Sequence, residues 1–310
     1  SFILRYLFFY KNIINFFIKF KNNLRFIYIR HPRHNFIFLF LLFFFKVQKK
    51  SLIIIEELPT FPLELLKIKF FLNLKVLNLN QHFLRVFSNY FIDHYSAIGN
   101  KGIFFKKKVI NIFNGIDDTK IKKKKLNKIV NFLFIGNLSK RHGFDRFLNS
   151  LKKIKSKKLK NKLNIFIVGT LSFSEKIIIQ KQLDDIQIKH KFYGYLEGKK
   201  LQKVLAKAHY GIGNLGFYRF NVNFTSALKE RMYLKNGIPF IYAGKDYSLE
   251  KIREIALKVS NNSNDIQFKK IMKHLMRFYS FSNSNRREIR DKINTHCSWD
   301  ESMKNLDKYF

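Results

Sequence analysis

The 310-residue chain has a single cysteine, Cys297, so no internal disulfide can form and a reducing compartment fits. Long apolar runs are also missing. The longest, "FIFLFLLFFF" from Phe36 to Phe45, falls well short of the roughly 20 residues that a membrane-spanning helix needs, and it reads as a buried helix. A signal peptide is disfavoured too, because the run lies far into the chain and "KVQKK" follows it without a small-residue cleavage site. Acidic residues are scarce, at 21 against 60 lysines and arginines.

The resulting formal charge of +39 would ordinarily point to nucleic acid or an anionic membrane face. Here Lys, Phe, Ile and Asn are abundant almost everywhere, which is the mark of A/T-rich codons and not of one selected patch. No nucleic-acid module accompanies the charge, so nucleic acid is not an expected partner. At 46% hydrophobic, the chain is long enough for one large core or two medium ones, and two domains are expected.

Short apolar runs alternate with basic amphipathic segments, the pattern of βα units around a mostly parallel sheet. In the first half, strands are expected at Leu24–Ile29, Leu52–Ile55, Leu84–Phe87 and Val109–Ile112, with helices near Phe36–Lys46 and Asn89–Ile98. Pro59 and Pro62 mark a loop after the second strand. "NGIDDTKIKKKKLN", Asn114 to Asn127, combines turn residues with a charge run and marks the domain boundary. Beyond it, strands are expected at Val130–Ile135, Asn164–Val168, Lys191–Tyr193, Tyr210–Gly213, Ile238–Tyr242 and Ala256–Val259. Helices at Phe144–Ile154, Glu175–Leu183, Glu197–Lys207, Ser226–Asn236 and Asp265–Phe278 complete one doubly wound domain. Such sheets bind ligands at the carboxyl ends of their strands, and several loops there begin with glycine.

"SALKERMYLKNGIPFIYAG", Ser226 to Gly244, is the clearest site signal. Small polar residues precede a helix start, where unpaired N–H groups and the positive pole of the helix dipole suit an anion, and Lys229 sits one turn in. "GIGNLG", Gly211 to Gly216, satisfies G-x-G-x-x-G but is a weak match, because the strand comes late in its domain and "FYRFNVNF" follows it instead of a helix. No Asp-x-Asp occurs, and Asp117-Asp118 and Asp184-Asp185 lie in charged, solvated segments, so no metal site is expected.

The ordered set of motifs resembles the GT-B glycosyltransferases of family four, in particular their bacterial surface-polysaccharide members. "YIRHP" and "IEELPTFP" are similar to the family's YIR-x-P and E-x-P-T-x-P segments, and "VFSNYFIDHY" followed by "NGID" to the end of the acceptor domain and its crossing into the donor domain. "FIGNLSKRHGFDRFL" resembles its G-N-x-x-x-x-H-G-x-D-R stretch, "SALKERMYLKNGIPFIYAG" its S-x-L-K-x-R-E-Y-L-x-x-G-x-P stretch, and "CSWDESMKNLDKYF" its Ser-Trp helix.

The resemblance implies an α/β GT-B fold: two Rossmann-like doubly wound domains facing a cleft. Residues 1–115 would form the acceptor side, 116–295 the donor side, and 296–310 a terminal helix packing back toward the first domain. Because the chain starts at Ser1 and not Met, the first domain is expected to be truncated and to lack a glycine-rich loop that in relatives lies over the cleft. The implied activity is retaining, metal-independent transfer of a hexosyl unit from a nucleotide sugar to a glycan or lipid-linked acceptor, with no cofactor besides the donor. The implied place is the cytoplasm, with peripheral contact to an anionic inner membrane face.

Lys229 and Arg231 match the family's basic positions and are the implied catalytic residues, Lys229 neutralising the leaving pyrophosphate. Gly136, Asn137, Lys140, Arg141, His142, Gly143, Gly169, Ser226, Lys229 and Met232 are the implied donor-binding set, with Arg30, His31 and Glu57 on the acceptor side. Two departures stand out. The family's E-x7-E carboxylates are replaced by Phe224 and Met232, and Glu230 lies about 200° around the helix from position 232. A catalytically impaired protein acting as a binding or scaffold partner is therefore the alternative.

Overall fold

The computed structural model describes residues 2–30, 34–61, 83–99, 102–119, 121 and 126–309. The chain divides into two compact units, one made of 1–112 with 304–310 and the other of 113–303. The division falls just before the charge-rich segment, and the terminal helix is split between the two groupings.

In the first unit the strands are β1 (Phe26–Arg30), β2 (Ile53–Phe61), β3 (His94–Gly99), β4 (Gly102–Phe104) and β5 (Lys107–Ile112), in sheet order β1-β2-β3-β5-β4. All pairs are parallel except the β4–β5 hairpin at the edge. The helices are α1 (Phe2–Phe20), α2 (Phe36–Gln48) and a short α3 at 83–88. Phe17, Leu42, Ile54, Tyr95 and Phe104 anchor the core.

Four expectations fail here. The run Leu84–Phe87 lies in α3 and not in a strand: Leu84 and Ser88 are buried four residues apart, and Ser88 Oγ donates to Leu84 O at 2.9 Å. The segment Asn89–Ile98 is a turn followed by the central strand β3, whose Tyr95, Ser96 and Ala97 are fully buried between β2 and β5. Short apolar runs fit helix or strand equally well, and position in the sheet decided between them. Nor is α2 buried all round. Phe38, Leu41, Leu42 and Phe45 face the core, whereas Phe36 on the opposite side is 73% exposed. Pro62 and His31 lie outside the described residues; Pro59 falls inside β2.

The second unit follows the expected pattern closely. Its strands are β6 (Val130–Ile135), β7 (Leu163–Val168), β8 (Lys189–Gly194), β9 (Tyr210–Ile212), β10 (Phe240–Ala243) and β11 (Ala256–Val259), all parallel. Sheet order is β11-β10-β9-β6-β7-β8, the doubly wound arrangement of dinucleotide-binding folds, with the order reversing between β6 and β9. Helices α4 (Phe144–Lys152), α5 (Lys157–Lys160), α6 (Phe173–Asp185), α7 (Gly198–Lys207), α8 (Leu228–Lys235), α9 (Phe268–Ser280), α10 (Asn283–Cys297) and α11 (Trp299–Asp307) follow in chain order. One apolar cluster around Phe132, Phe147, Ile165 and Leu275 and a second around Leu133, Tyr233, Phe240 and Ile293 form its core.

The glycines of "GIGNLG" are packing residues. A Cβ on Gly211 would come within 2.5 Å of the Tyr233 ring, and one on Gly213 within 2.6 Å of Ile241 O. The segment at Asn114-Gly115 is tied to the Ser-Trp helix: an added Cβ at Gly115 would sit 2.5 Å from Trp299 Cα, and Phe113 N donates to Ser302 Oγ at 3.0 Å.

Candidate functional site

The site lies where the second sheet reverses its order, the place where open α/β sheets present the loops of neighbouring strands to a ligand. β6 ends into Gly136, whose φ of +133° excludes residues with a side chain, and β7 ends into Gly169 at φ +147°. A Cβ on Gly169 would overlap Gly136 O, so these two turns touch. The loop after Gly136 closes at Gly143, φ +65°, where an added Cβ would lie 2.5 Å from Gly216 N. The loops after β6 and β9 thus meet backbone to backbone. Arg219 fixes this loop from outside: Nη1 donates to Lys140 O at 2.8 Å, and the guanidinium grips Asp145 with bonds of 3.0 and 2.6 Å.

Into this frame points Lys229, in the first turn of α8. The helix starts after Ala227 with no side-chain cap, so its first amides keep their donors free of side-chain acceptors. Lys229 is only 7% exposed and its Nζ has no hydrogen-bond partner. The ammonium lies 4.2 Å from the Phe134 ring centroid, a contact favourable to a cation. It also stands 3.5 Å from the point a Gly136 Cβ would occupy, and the His142 ring reaches within 3.7 Å of the same point. Burial pushes the Lys229 pKa well down, opposed in part by Glu230. Burial, and next the Lys229 charge, hold the His142 pKa down to about 4. The imidazole is therefore neutral at pH 7, and with Nδ1 donating to Asn214 Oδ1 at 2.8 Å its Nε2 is an acceptor.

Asn214 organises the arrangement, and sequence reasoning missed it. Its N–H donates to Glu230 Oε1 at 2.9 Å, its side chain meets His142, and its carbonyl accepts from Ala243 N at 2.8 Å. The signal was there: Gly213-Asn214 follows β9 as Gly136-Asn137 follows β6. Glu230 is fully buried, with Oε2 unpartnered; burial pushes its pKa up, while the Asn214 N–H opposes this.

Arg231 and Ser226 are internal ties. Arg231 Nη2 donates to Ser226 Oγ at 2.8 Å, Asp246 Oδ2 at 2.8 Å and Ser248 Oγ at 2.9 Å, while its Nε meets Asn114 O. Arg231 is 3% exposed and positions the helix start. Ser226 Oγ accepts from Asn114 N at 2.8 Å, so its hydroxyl is occupied. Lys140 and Arg141 are exposed, as is Asn137, whose side chain accepts from Ser139 N. The structure thus brings Gly136, His142, Gly143, Gly169 and Lys229 together and leaves Asn137, Lys140 and Arg141 facing solvent. Met232 lies on the exposed side of α8, and Phe224 packs on Tyr247 at 5.3 Å between ring centroids. Glu230 turns inward and does not take the place of either missing carboxylate.

In the first unit, Glu57 lies in the middle of β2, opposite Arg30 at the end of β1, and is 3% exposed; it accepts from Tyr28 OH at 2.6 Å and pairs with Arg30 at 3.1 Å. Burial and the Glu57 contact raise the Tyr28 pKa, so the phenol stays protonated as donor. Next to it, Glu56 pairs with His34 and Arg85 at 3.1 and 3.0 Å. Arg30 and Glu57 are therefore brought together. Among the described residues no group of three or more His, Cys, Asp or Glu side chains could hold a metal ion, and no helix is long and apolar enough to cross a membrane.

No protein-family model and no curated protein matches the sequence. Solved structures do match in fold. An alpha,alpha-trehalose-phosphate synthase (UDP-forming) from Burkholderia xenovorans, in complex with glucose-6-phosphate, superposes with TM-score 0.56 and 11% identity over 91% of this chain and 72% of that one. A Candida albicans trehalose-6-phosphate phosphatase N-terminal domain gives TM-score 0.56 and 12% identity over 98% and 73% of the two chains. The E. coli trehalose-6-phosphate protein bound with UDP-2-fluoro glucose gives TM-score 0.52 and 12% identity over 90% and 70%. The chain has the α/β, Rossmann-like architecture of GT-B glycosyltransferase structures.

Proposed function

We propose that the second unit binds the diphosphate of a nucleotide sugar and that the protein transfers a hexosyl unit from it to a glycan or lipid-linked acceptor, with retention and without an obligatory metal. The observation that carries this reading is Lys229: a lysine 7% exposed, whose Nζ has no hydrogen-bond partner and whose pKa burial pushes down to about 7, is costly to charge unless an anion completes it. A diphosphate would meet Lys229, the uncapped amides of α8 and the open backbone at Gly136, all fixed before it arrives. The His142 Nε2 acceptor beside them fits a sugar hydroxyl. As the glycosidic bond breaks, Lys229 would offset the charge growing on the leaving phosphate, and that phosphate would take the acceptor hydroxyl's proton. Arg30, Glu57 and His31 are the acceptor-side residues of this reading.

Membership of family four and of its surface-polysaccharide type rests on the motif resemblance, and the GT-B architecture supports the broader reading. One neighbour in fold is bound with UDP-2-fluoro glucose, which supports a uridine-nucleotide donor. The protein would work in the cytoplasm, peripheral to the inner membrane face. Phe224 and Met232 favour a second reading, a catalytically impaired protein that binds without turnover.

Calorimetric titration with uridine and guanosine diphosphates tests the binding step. Wild type should bind at least one, and Lys229→Ala should bind it weakly; absence of binding to both would end the proposal. Donor hydrolysis across a panel of nucleotide sugars, run beside Met232→Glu, separates the two readings: turnover by wild type supports the enzyme, and turnover only in the variant supports the impaired form.

A further inference from the structure

Glu230 follows Lys229 in the first turn of α8 and is fully buried, and nothing in the proposed reaction uses it. Its place is built into the fold. A Cβ on Gly213 would lie 2.7 Å from Glu230 Oε1 and 3.1 Å from its Cγ, so the glycine after β9 makes room for this carboxyl. Oε1 accepts from Asn214 N at 2.9 Å, and Oε2 has no partner. Tyr233 of α8 and Tyr242 of β10 also face the carboxyl, as phenols that burial keeps protonated. Beyond them lies Asp246, bonded to Arg231 at 2.8 Å.

Lys229 is as poorly provided for. Its Nζ bonds to no acceptor, Glu230 included, and its surroundings are the Phe134 ring and the neutral imidazole of His142. Two opposite charges that are dry and do not touch cost more than the same pair with the proton moved across, a neutral amine and a neutral acid. Burial draws the two groups together, Lys229 down to about 7 and Glu230 up to about 7, so the gap that ordinarily keeps the proton on lysine closes.

We propose that Glu230 stores the proton that charges Lys229: the carboxyl holds it before a diphosphate arrives, and binding moves it to the amine. The Glu230 O–H bond breaks and an Nζ–H bond forms, so an acid and an amine become a carboxylate and an ammonium with no change in their summed charge. The ammonium then meets the phosphates, while the carboxylate keeps the Asn214 N–H and gains the attraction of the new cation. Glu230 is thus a positioning residue that acts through Lys229. The inference rests on the diphosphate-binding reading and adds the source of its positive charge.

Calorimetry in two buffers of different ionisation enthalpy counts the protons taken up on binding. Uridine and guanosine diphosphate glucose are the probes, because their esterified phosphates do not titrate near pH 7. Wild type should bind at pH 7 with no net uptake. Glu230→Gln keeps the size and the acceptor for Asn214 N–H but carries no acidic proton, so its Lys229 must draw one from solvent. Uptake should approach one proton, and affinity should fall by up to about tenfold per pH unit above pH 7. A merely structural Glu230 would move the melting temperature and leave the proton count alone. Infrared difference spectra of wild type should also show a protonated-carboxyl band lost on binding, a test that stands even if Glu230→Gln fails to fold. Wild type binding neither probe would refute the diphosphate reading and this inference with it. Binding with equal proton uptake in wild type and variant, or with no loss of the carboxyl band in wild type, refutes the proton store alone.

Discussion

Replacing Lys229 with methionine removes the charge while keeping a long apolar stem in the same space, so it should move stability and ligand affinity in opposite directions. Wild type holds Lys229 at 7% exposure, its Nζ without a hydrogen-bond partner and in contact with Phe134. Exchanging buried charges for apolar groups of similar volume is neutral to stabilising by about 1–4 kcal/mol. At about 2 kcal/mol, and roughly 2–4 °C per kcal/mol for a unit of this size, melting should rise by about 4–8 °C. The gain depends on pH with a definite sign. Burial lowers the folded-state pKa of Lys229, so the unfolded chain holds its proton more tightly and wild-type stability rises with pH between the lowered value and the ordinary lysine value. Methionine's advantage should therefore be largest on the acid side of that window and vanish above it. Diphosphate binding should fall roughly 10- to 100-fold, the worth of one charge-assisted hydrogen bond of about 1.5–3 kcal/mol. Scanning calorimetry across pH, beside titration with uridine diphosphate, reads both quantities. A lower melting temperature with unchanged affinity would make Lys229 a structural cation and refute the reasoning.

Two further substitutions test the surroundings. Gly143→Ala should destabilise by more than the roughly 1–2 kcal/mol of a left-handed residue, because its Cβ would also lie 2.5 Å from Gly216 N; chemical denaturation measures it, and diphosphate binding should fall with it. Arg231→Ala should cost about 3–5 kcal/mol by stranding Asp246 in the interior, visible as a lower denaturation midpoint with or without ligand.

The second unit was legible because its inner strands β6, β7, β9 and β10 are largely buried and read as plain apolar runs such as Val130–Ile135. The first unit was harder: β3 carries His94 and Ser96 in its central position, and no local pattern distinguishes that from a helix. In the site, Lys229 and the glycine turns announced themselves through spacing. The inward turn of Glu230 did not, since its partner Asn214 is 16 positions away. Arg231 looked like a second ligand-facing cation, and only its ties to Asp246, Ser226 and Ser248 reveal an internal brace.

The contact of Gly143 with Gly216 braces the loop after β6 against the loop after β9, where the two three-strand halves of the second sheet meet, so the residues proposed to seat an anion are held from both sides. Amide protons along that seam should exchange as slowly as those of the strands beneath, unlike the rapid exchange usual for surface connections. A ligand would then meet a surface already in its final shape, and association would not wait on any ordering of the chain.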